Sequence, residues 1–267
     1  SAICLARTRG RSDQCAGNFF GEDVVAQLSR RHFGLASAGL LSAGAARAQT
    51  PPRSPKTFVL VHGAWHGGWC WTLVRDILTA QGHHVFTPTL TGLGERSHLL
   101  SRDITLKTHI DDVVNVFAFE DLQEVCLVGH SYGGWPVSGA IEKVLPQVSS
   151  IFYLDAFMPE SGQKVLDYQT PQGIADFNAA WERGEVSRSV PKAAFFHVKP
   201  EQQAWVDAKM TPQPLGVSFM PLELTGARNK VAKRTYIRAA SFKQPHFDAG
   251  LKKAKDAGWK TYELNVG

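Results

Sequence analysis

Short hydrophobic runs alternate along the chain with stretches of helical spacing. Residues 57–61 are uninterruptedly apolar after the first position, as is typical of a strand buried on both faces of a parallel sheet. Similar runs predict further strands at 84–86, 125–128, 150–154, 234–238 and 260–264. Helical spacing predicts helices at 71–81, 108–119, 132–145 and 247–257, with Thr108 as the N-cap of the second. Strands alternating with helices predict an α/β fold with a mostly parallel, doubly wound sheet.

The alternation stops between residues 160 and 225. This segment is polar, contains prolines and has two or three short helical patterns, such as residues 200–210. We expect it to form a small helical cap over the carboxyl-terminal edge of the sheet, inserted in one domain that spans residues 56–267. Its aromatic residues favour an apolar ligand, and they are Phe195, Phe196, Trp205 and Phe219.

The first 48 residues are predicted to be an extension followed by a signal peptide. Arg30 and Arg31 begin a twin-arginine (Tat) pattern, an apolar run follows at 34–45, and Ala46-Arg47-Ala48 forms an A-x-A cleavage site. The apolar run is too short for a permanent membrane anchor. We therefore expect a protein exported to the bacterial periplasm or secreted. Residues 1–28 have no role in this interpretation.

Charge and composition restrict the classes of partner and bound group that we expect. The net charge is +5, but residues 1–50 contribute +3 of it, so the predicted domain is not basic enough to indicate a nucleic-acid partner. The cysteines do not form a disulfide framework, and Cys70 and Cys126 are interpreted as buried free thiols. No metal-ligand spacing is present, and we expect neither a metal nor a cofactor. The sequence does not predict an oligomeric state.

One motif carries nucleophilic chemistry. Residues 129–134 read Gly-His-Ser-Tyr-Gly-Gly between a predicted strand and a predicted helix. This is the G-x-S-x-G context in which a strained turn presents a serine hydroxyl to a base and a substrate carbonyl. Ser131 is the predicted nucleophile of this nucleophile elbow. Gly129 and Gly133 leave room for the strand and helix to cross closely.

The turn after the first strand predicts the second half of an oxyanion hole. Residues 62–65 read His-Gly-Ala-Trp. The expected donors are the main-chain N–H groups of Ala64 and Tyr132, each stabilising the transition state by about 3–4 kcal/mol. We interpret His62 as shaping this loop by hydrogen bonding and not as a catalytic group.

Four segments together resemble one branch of the α/β-hydrolases, which contains plant methyl-ester esterases, hydroxynitrile lyases and similar bacterial esterases. They are residues 58–71, 89–96, 129–134 and 154–159. The resemblance runs from about residue 56 to the end of the sequence. It implies the α/β-hydrolase fold, a Ser–His–acid mechanism without a cofactor, and a small, largely apolar pocket under the cap for an ester substrate.

The catalytic acid departs from the pattern of that branch. There the acid usually follows the strand that matches residues 235–238, but here no carboxylate appears until Asp248. Asp155, just past the preceding strand, occupies another position that this fold uses. We favour Asp155 over Asp248, although an aspartate that only ends a strand and bonds local backbone would look the same in the sequence.

The catalytic histidine is the second departure. In the family it follows the last strand, in a Gly-His-Asp context, whereas this sequence ends at Gly267. Only His197 and His246 come after Ser131, and neither is in the expected place. We therefore expect that the given sequence is truncated before the histidine and that the chain is nearly inactive as given. The predicted function is hydrolysis of a small, largely apolar carboxylic ester.

Two alternative functions fit the same sequence. A hydroxynitrile lyase would need a lysine of the cap in the pocket, and Lys192 and Lys199 are the candidates. A non-catalytic small-molecule binding protein on the same fold would suit the missing histidine.

Overall fold

The computed structural model describes residues 54–266. The predicted export signal lies outside these residues and stays a prediction. Six strands form one parallel sheet: β1 (Thr57–Val61), β2 (His84–Phe86), β3 (Val125–Ser131), β4 (Val148–Ala156), β7 (Lys233–Ala239) and β8 (Lys260–Leu264), in the order β2-β1-β3-β4-β7-β8. Two short strands, β5 (Ser187–Arg188) and β6 (Gln213–Pro214), pair antiparallel. The predicted parallel α/β sheet is confirmed.

Helices cover the sheet and fill the inserted segment. Those that accompany the sheet are α1 (Thr72–Ala80), α2 (Leu106–Phe119), α3 (Gly134–Val144) and α6 (Pro245–Asp256), whereas α4 (Pro171–Glu182) and α5 (Pro200–Asp207) belong to residues 160–225. Within residues 54–266, no helix combines the length and apolar character that crossing a membrane requires. Cys126 is a buried free thiol, as predicted, and Cys70 is buried as well.

The apolar runs form strands because both faces of the sheet are covered. Val59, Leu127, Ile151 and Tyr236 are completely buried, one on each of four neighbouring strands. Burying side chains of this size stabilises the fold by about 1.5–3 kcal/mol each. A continuous apolar run is the pattern of such a strand, which is why the sequence predicted the sheet so closely.

The prediction that α2 begins with Thr108 as its N-cap was wrong. Thr105, and not Thr108, is the N-cap, and the helix begins at Leu106. Thr105 N–H donates to Thr108 Oγ1 at 3.1 Å, while the Thr105 side chain accepts from the Thr108 amide. Two threonines three residues apart can serve each other in this way, so the hydroxyl pattern alone does not say which of them is the cap.

The strand order changes direction between β1 and β3. From β1 the chain goes outward to β2 and then returns to the other side of β1 to form β3. Ligands of open α/β sheets bind at such a switch point, beyond the carboxyl ends of the strands. The residues that follow β1 and β3 therefore frame the expected site.

Candidate active site

Ser131 occupies a strained turn at the end of β3. Its φ is +52°, a left-handed conformation that costs a non-glycine residue about 1–3 kcal/mol and that clusters at functional sites. α3 begins three residues later, at Gly134. Ser131 is partly exposed and lines a pocket. The structure thus presents the predicted nucleophile to a space that a substrate can enter.

Two glycines permit this turn, as the sequence predicted. A Cβ on Gly133 would lie 2.7 Å from the Val61 carbonyl oxygen, and a Cβ on Gly129 would lie 2.9 Å from the Gly133 carbonyl oxygen. Both distances are shorter than real contacts of a Cβ. Because the obstacles are main-chain atoms, a side chain at either position would push β1, β3 and the elbow apart.

The pocket around Ser131 is mostly aromatic and apolar. It is lined by Gly63, Ala64, Trp65, His66, His130, Ser131, Asp155, Phe196, Phe242 and Phe247. Of the four aromatic residues of the predicted cap, Phe196 lines this pocket. Phe195 is 61% exposed, and Phe219 packs on Trp181 with ring centroids 4.9 Å apart. Phe242 and Phe247, which follow β7, supply apolar walls that the sequence did not predict.

The loop after β1 lies against the elbow. A Cβ on Gly63 would be 3.1 Å from Ser131 Cβ, so the chain passes directly beside the predicted nucleophile. Ala64 and Tyr132 are buried, and among residues 54–266 neither of their main-chain N–H groups has a protein acceptor. Buried amides without a partner are rare. Two of them near the hydroxyl of a predicted nucleophile are what an oxyanion hole requires.

His62 orients the peptide that carries the Ala64 N–H. Its Nδ1 lies 2.8 Å from the Gly63 carbonyl oxygen and its Nε2 accepts from the Leu90 N–H at 3.0 Å. The carbonyl can only accept, so Nδ1 donates and the ring is neutral. In a trans peptide the N–H points opposite to the C=O. Because His62 holds the Gly63 carbonyl, the Ala64 N–H of the same peptide points away from His62. His62 therefore shapes this loop by hydrogen bonding, as predicted.

The stability of the fold is expected to fall in acid because burial disfavours the protonated form of its histidines. Burial lowers the pKa of His62 from 6.5 to about 3, and burial lowers that of His109 to about 4. The unfolded chain takes up these protons below pH 6.5 and the folded chain does not. The contribution of each neutral histidine to stability is therefore complete above pH 6.5. As the pH falls from 6.5 towards 4, the free energy of unfolding decreases by about 1.4 kcal/mol per pH unit for each histidine.

Urea unfolding at several pH values between 7 and 4.5 measures this loss. The His62→Gln variant removes one titrating group, so its free energy of unfolding should depend less steeply on pH, by about one proton. An unchanged slope in that variant would show that His62 is charged in the fold.

Asp155 is the carboxylate next to Ser131. It lies in a bulge of β4 with φ of +42°, is 5% exposed and lines the pocket. Its Oδ1 accepts from Arg238 Nη1 at 2.7 Å and from the Ala239 N–H at 3.0 Å. Burial raises the pKa of the Asp155 carboxyl, against the opposing effect of the Arg238 guanidinium.

Asp248, the other candidate acid, lies on α6 and is not part of the pocket lining. Its side chain is 61% exposed and accepts from Arg238 Nε at 2.8 Å. Arg238 therefore joins both candidates. Arg238 was not predicted as a site residue, although a charged residue at the end of a predicted strand was a signal of an ion pair.

The histidines and lysines considered for catalysis lie elsewhere. His246 packs its ring on Tyr168 at 4.6 Å between centroids, and His197 packs on Phe242 at 5.3 Å. Neither lines the pocket, and neither do Lys192 and Lys199. Within residues 54–266, no imidazole is hydrogen-bonded to Ser131 Oγ.

Comparison with known proteins shows that this chain is similar to alpha/beta hydrolases, esterases among them. The model of the alpha/beta hydrolase family matches residues 58–260. A carbendazim hydrolyzing esterase of Nocardioides sp. (strain SG-4G) is 39% identical over 222 residues, covering 79% of this chain and 91% of that protein. Methylesterase 1 of Arabidopsis thaliana is 37% identical over 106 residues, 39% of this chain and 40% of that protein.

Solved structures agree on the architecture. An extracellular alpha/beta-hydrolase from a Paenibacillus species, described as sharing structural and functional homology with tobacco salicylic acid binding protein 2, superposes with a TM-score of 0.68 at 23% identity, covering 80% of this chain and 90% of that one. Polyneuridine aldehyde esterase, in a mutant form, gives a TM-score of 0.60 at 21% identity, with 80% and 91% covered.

Proposed function

The chain belongs to the alpha/beta hydrolase family, and we propose that it is a serine esterase that cleaves a small, largely apolar carboxylic ester through an acyl-serine intermediate. The observation that carries the proposal is the position of Ser131. Its hydroxyl group is on a strained turn with φ of +52°, at the wall of a pocket, beside two buried amides without protein acceptors. A structural serine has no need of this arrangement.

The chemistry follows from that geometry. Ser131 Oγ attacks the ester carbonyl while a base takes the hydroxyl proton, a role that a histidine has in the Ser–His–acid mechanism. The carbonyl oxygen becomes an anion and is stabilised by the N–H groups of Ala64 and Tyr132. The C–O bond to the alcohol then breaks, and the alcohol leaves with the proton. Water, activated in the same way, cleaves the acyl-serine to the acid and restores Ser131.

Asp155 is the carboxylate that we assign to this mechanism as the acid. It lines the same pocket as Ser131, whereas Asp248 lies outside the lining. A buried carboxylate can orient a histidine and stabilise its charged form without becoming protonated itself.

The pocket also supports the substrate class. Phe196, Phe242 and Phe247 line it together with Trp65, and such walls bind an apolar acyl or alcohol group. The Nocardioides relative, 39% identical, is named for the hydrolysis of carbendazim, so that compound belongs among the substrates to be tried.

Slow turnover by this chain is expected, because no imidazole among residues 54–266 bonds Ser131. The rate should lie several orders of magnitude below the roughly 1–10³ s⁻¹ of ordinary enzymes, leaving only the contributions of the oxyanion hole and binding. Added imidazole should raise the rate by supplying the base from solution. A panel of p-nitrophenyl esters of graded chain length measures both effects, with the reaction of the Ser131→Ala variant as background.

Turnover at an ordinary enzyme rate without imidazole would contradict this expectation and would show that the chain supplies its own base. A preference for the longest acyl chains would contradict the small pocket.

A further inference from the structure

The inserted segment 160–225 is hydrogen-bonded to the loop after β1 at Trp65. Trp65 follows Ala64 and has a φ of +64°, which is rare for a bulky residue. A conformation of this kind persists only where surrounding contacts fix it. The polar contacts of Trp65 come from the antiparallel pair β5–β6 and the residues that flank it.

Both main-chain polar groups of Trp65 bond that segment. Its N–H donates to Gln213 Oε1 at 2.9 Å, and its carbonyl oxygen accepts from the Thr211 N–H at 2.9 Å. The indole contributes as well, because Nε1 donates to the Ser189 carbonyl oxygen at 3.0 Å. The guanidinium of Arg188, directly opposite Gln213 in the strand pair, lies 4.8 Å from the centre of the indole ring.

The bond to Gln213 matters most because of the peptide that it fixes. The Trp65 N–H belongs to the peptide between Ala64 and Trp65, and the carbonyl of that peptide accepts from His66 Nδ1 at 2.8 Å. The peptide is thus held at both of its polar atoms. The preceding peptide, which carries the Ala64 N–H, is held at its carbonyl by His62. Two consecutive planes are fixed, and the Ala64 N–H is left without a protein acceptor.

We propose that Gln213 is a positioning residue for the oxyanion hole, so that the inserted segment sets the catalytic geometry of the loop after β1. This inference rests on the proposed serine mechanism. Gln213 is completely buried, at 0% exposed, and its side-chain oxygen reaches a residue 148 positions earlier in the chain. Loss of that acceptor leaves the Trp65 N–H unpaired and removes one of the two hydrogen bonds that hold the Ala64–Trp65 peptide, so that its orientation is less well fixed. A displacement of about 1 Å at a catalytic donor costs roughly a hundredfold in rate.

The test compares Gln213→Met, which keeps the length of the side chain without an acceptor, with Gln213→Glu, which keeps an acceptor oxygen. The measured quantity is the labelling of Ser131 by a fluorophosphonate with imidazole present, since the phosphonyl oxygen enters the oxyanion hole. The maximal labelling rate of Gln213→Met should fall roughly ten- to a hundredfold, while the probe concentration for half-maximal rate stays the same. Gln213→Glu should recover most of the rate.

Ser218→Ala is the matched control. Ser218 is also 0% exposed and lies in the same segment, but its hydroxyl group has no hydrogen-bond partner among the described residues. The control should label at the wild-type rate. Wild-type labelling by Gln213→Met, or equal slowing of all three variants, would overturn the positioning role and leave the proposed function intact. Absence of labelling at Ser131 in the wild-type chain would instead overturn both.

Discussion

Replacement of Ser131 by alanine is expected to abolish covalent labelling by a fluorophosphonate. The wild-type chain should take up about one probe, on the peptide that contains Ser131, because a serine nucleophile forms one stable adduct with such reagents. The reaction is carried out with imidazole, which supplies a base from solution. Mass spectrometry of the intact chain and of its peptides measures the adduct. This is the largest effect that the proposed mechanism predicts, since among residues 54–266 Ser131 is the only hydroxyl-bearing residue that lines the pocket.

A second serine serves as the control. Ser241 lies in the loop after β7, next to the pocket residue Phe242, and its hydroxyl is 3.3 Å from Asn265 Oδ1. Ser241→Ala should label as the wild type does. An adduct that persists in Ser131→Ala at the wild-type rate would remove the basis of the proposed function.

Replacement of Arg238 by methionine is expected to have the largest effect on stability. The Arg238 side chain is 2% exposed and pairs with Asp155, whose side chain is 7% exposed. It also donates to the Ala239 and Phe242 carbonyl oxygens. Removing the cation leaves a buried carboxylate without its partner, which costs about 3–5 kcal/mol. Urea unfolding measures the loss, and the pKa of Asp155 should rise further.

The two candidate acids separate in the same experiment. Asp248→Asn should cost no more than about 1 kcal/mol, because that partner of Arg238 is exposed. Combining Arg238→Met with Asp155→Asn should recover part of the loss, since no uncompensated buried charge remains. If the loss in free energy of unfolding of the double variant equals the sum of the losses of the two single variants, Asp155 and Arg238 are not energetically coupled.

Most of the sheet could be predicted because its strands are buried on both faces. A run such as residues 57–61 has one interpretation wherever strands alternate with helices. The pair β5–β6 could not be predicted in this way. It has two residues per strand and includes Pro214, so no periodicity develops. Its position depends on contacts with Trp65, which lies far away in the sequence.

The same distinction between local patterns and long-range contacts decides which site residues could be predicted. Ser131, Ala64 and Tyr132 belong to local motifs, where a short stretch of chain specifies both the turn and the donor. Asp155 could be proposed because it ends a strand, but its pairing with Arg238 spans 83 positions and depends on the packing of β4 against β7. Gln213 looks like any polar residue of a loop, and only its hydrogen bond to Trp65 distinguishes it.

A crystal structure of the fluorophosphonate adduct tests the central claim most directly. The account predicts a phosphonyl group on Ser131 Oγ, with one oxygen about 2.7–3.1 Å from both the Ala64 and the Tyr132 main-chain nitrogens. A phosphonyl group bonded to another residue, or one on Ser131 whose oxygen points away from these two amides, would contradict it.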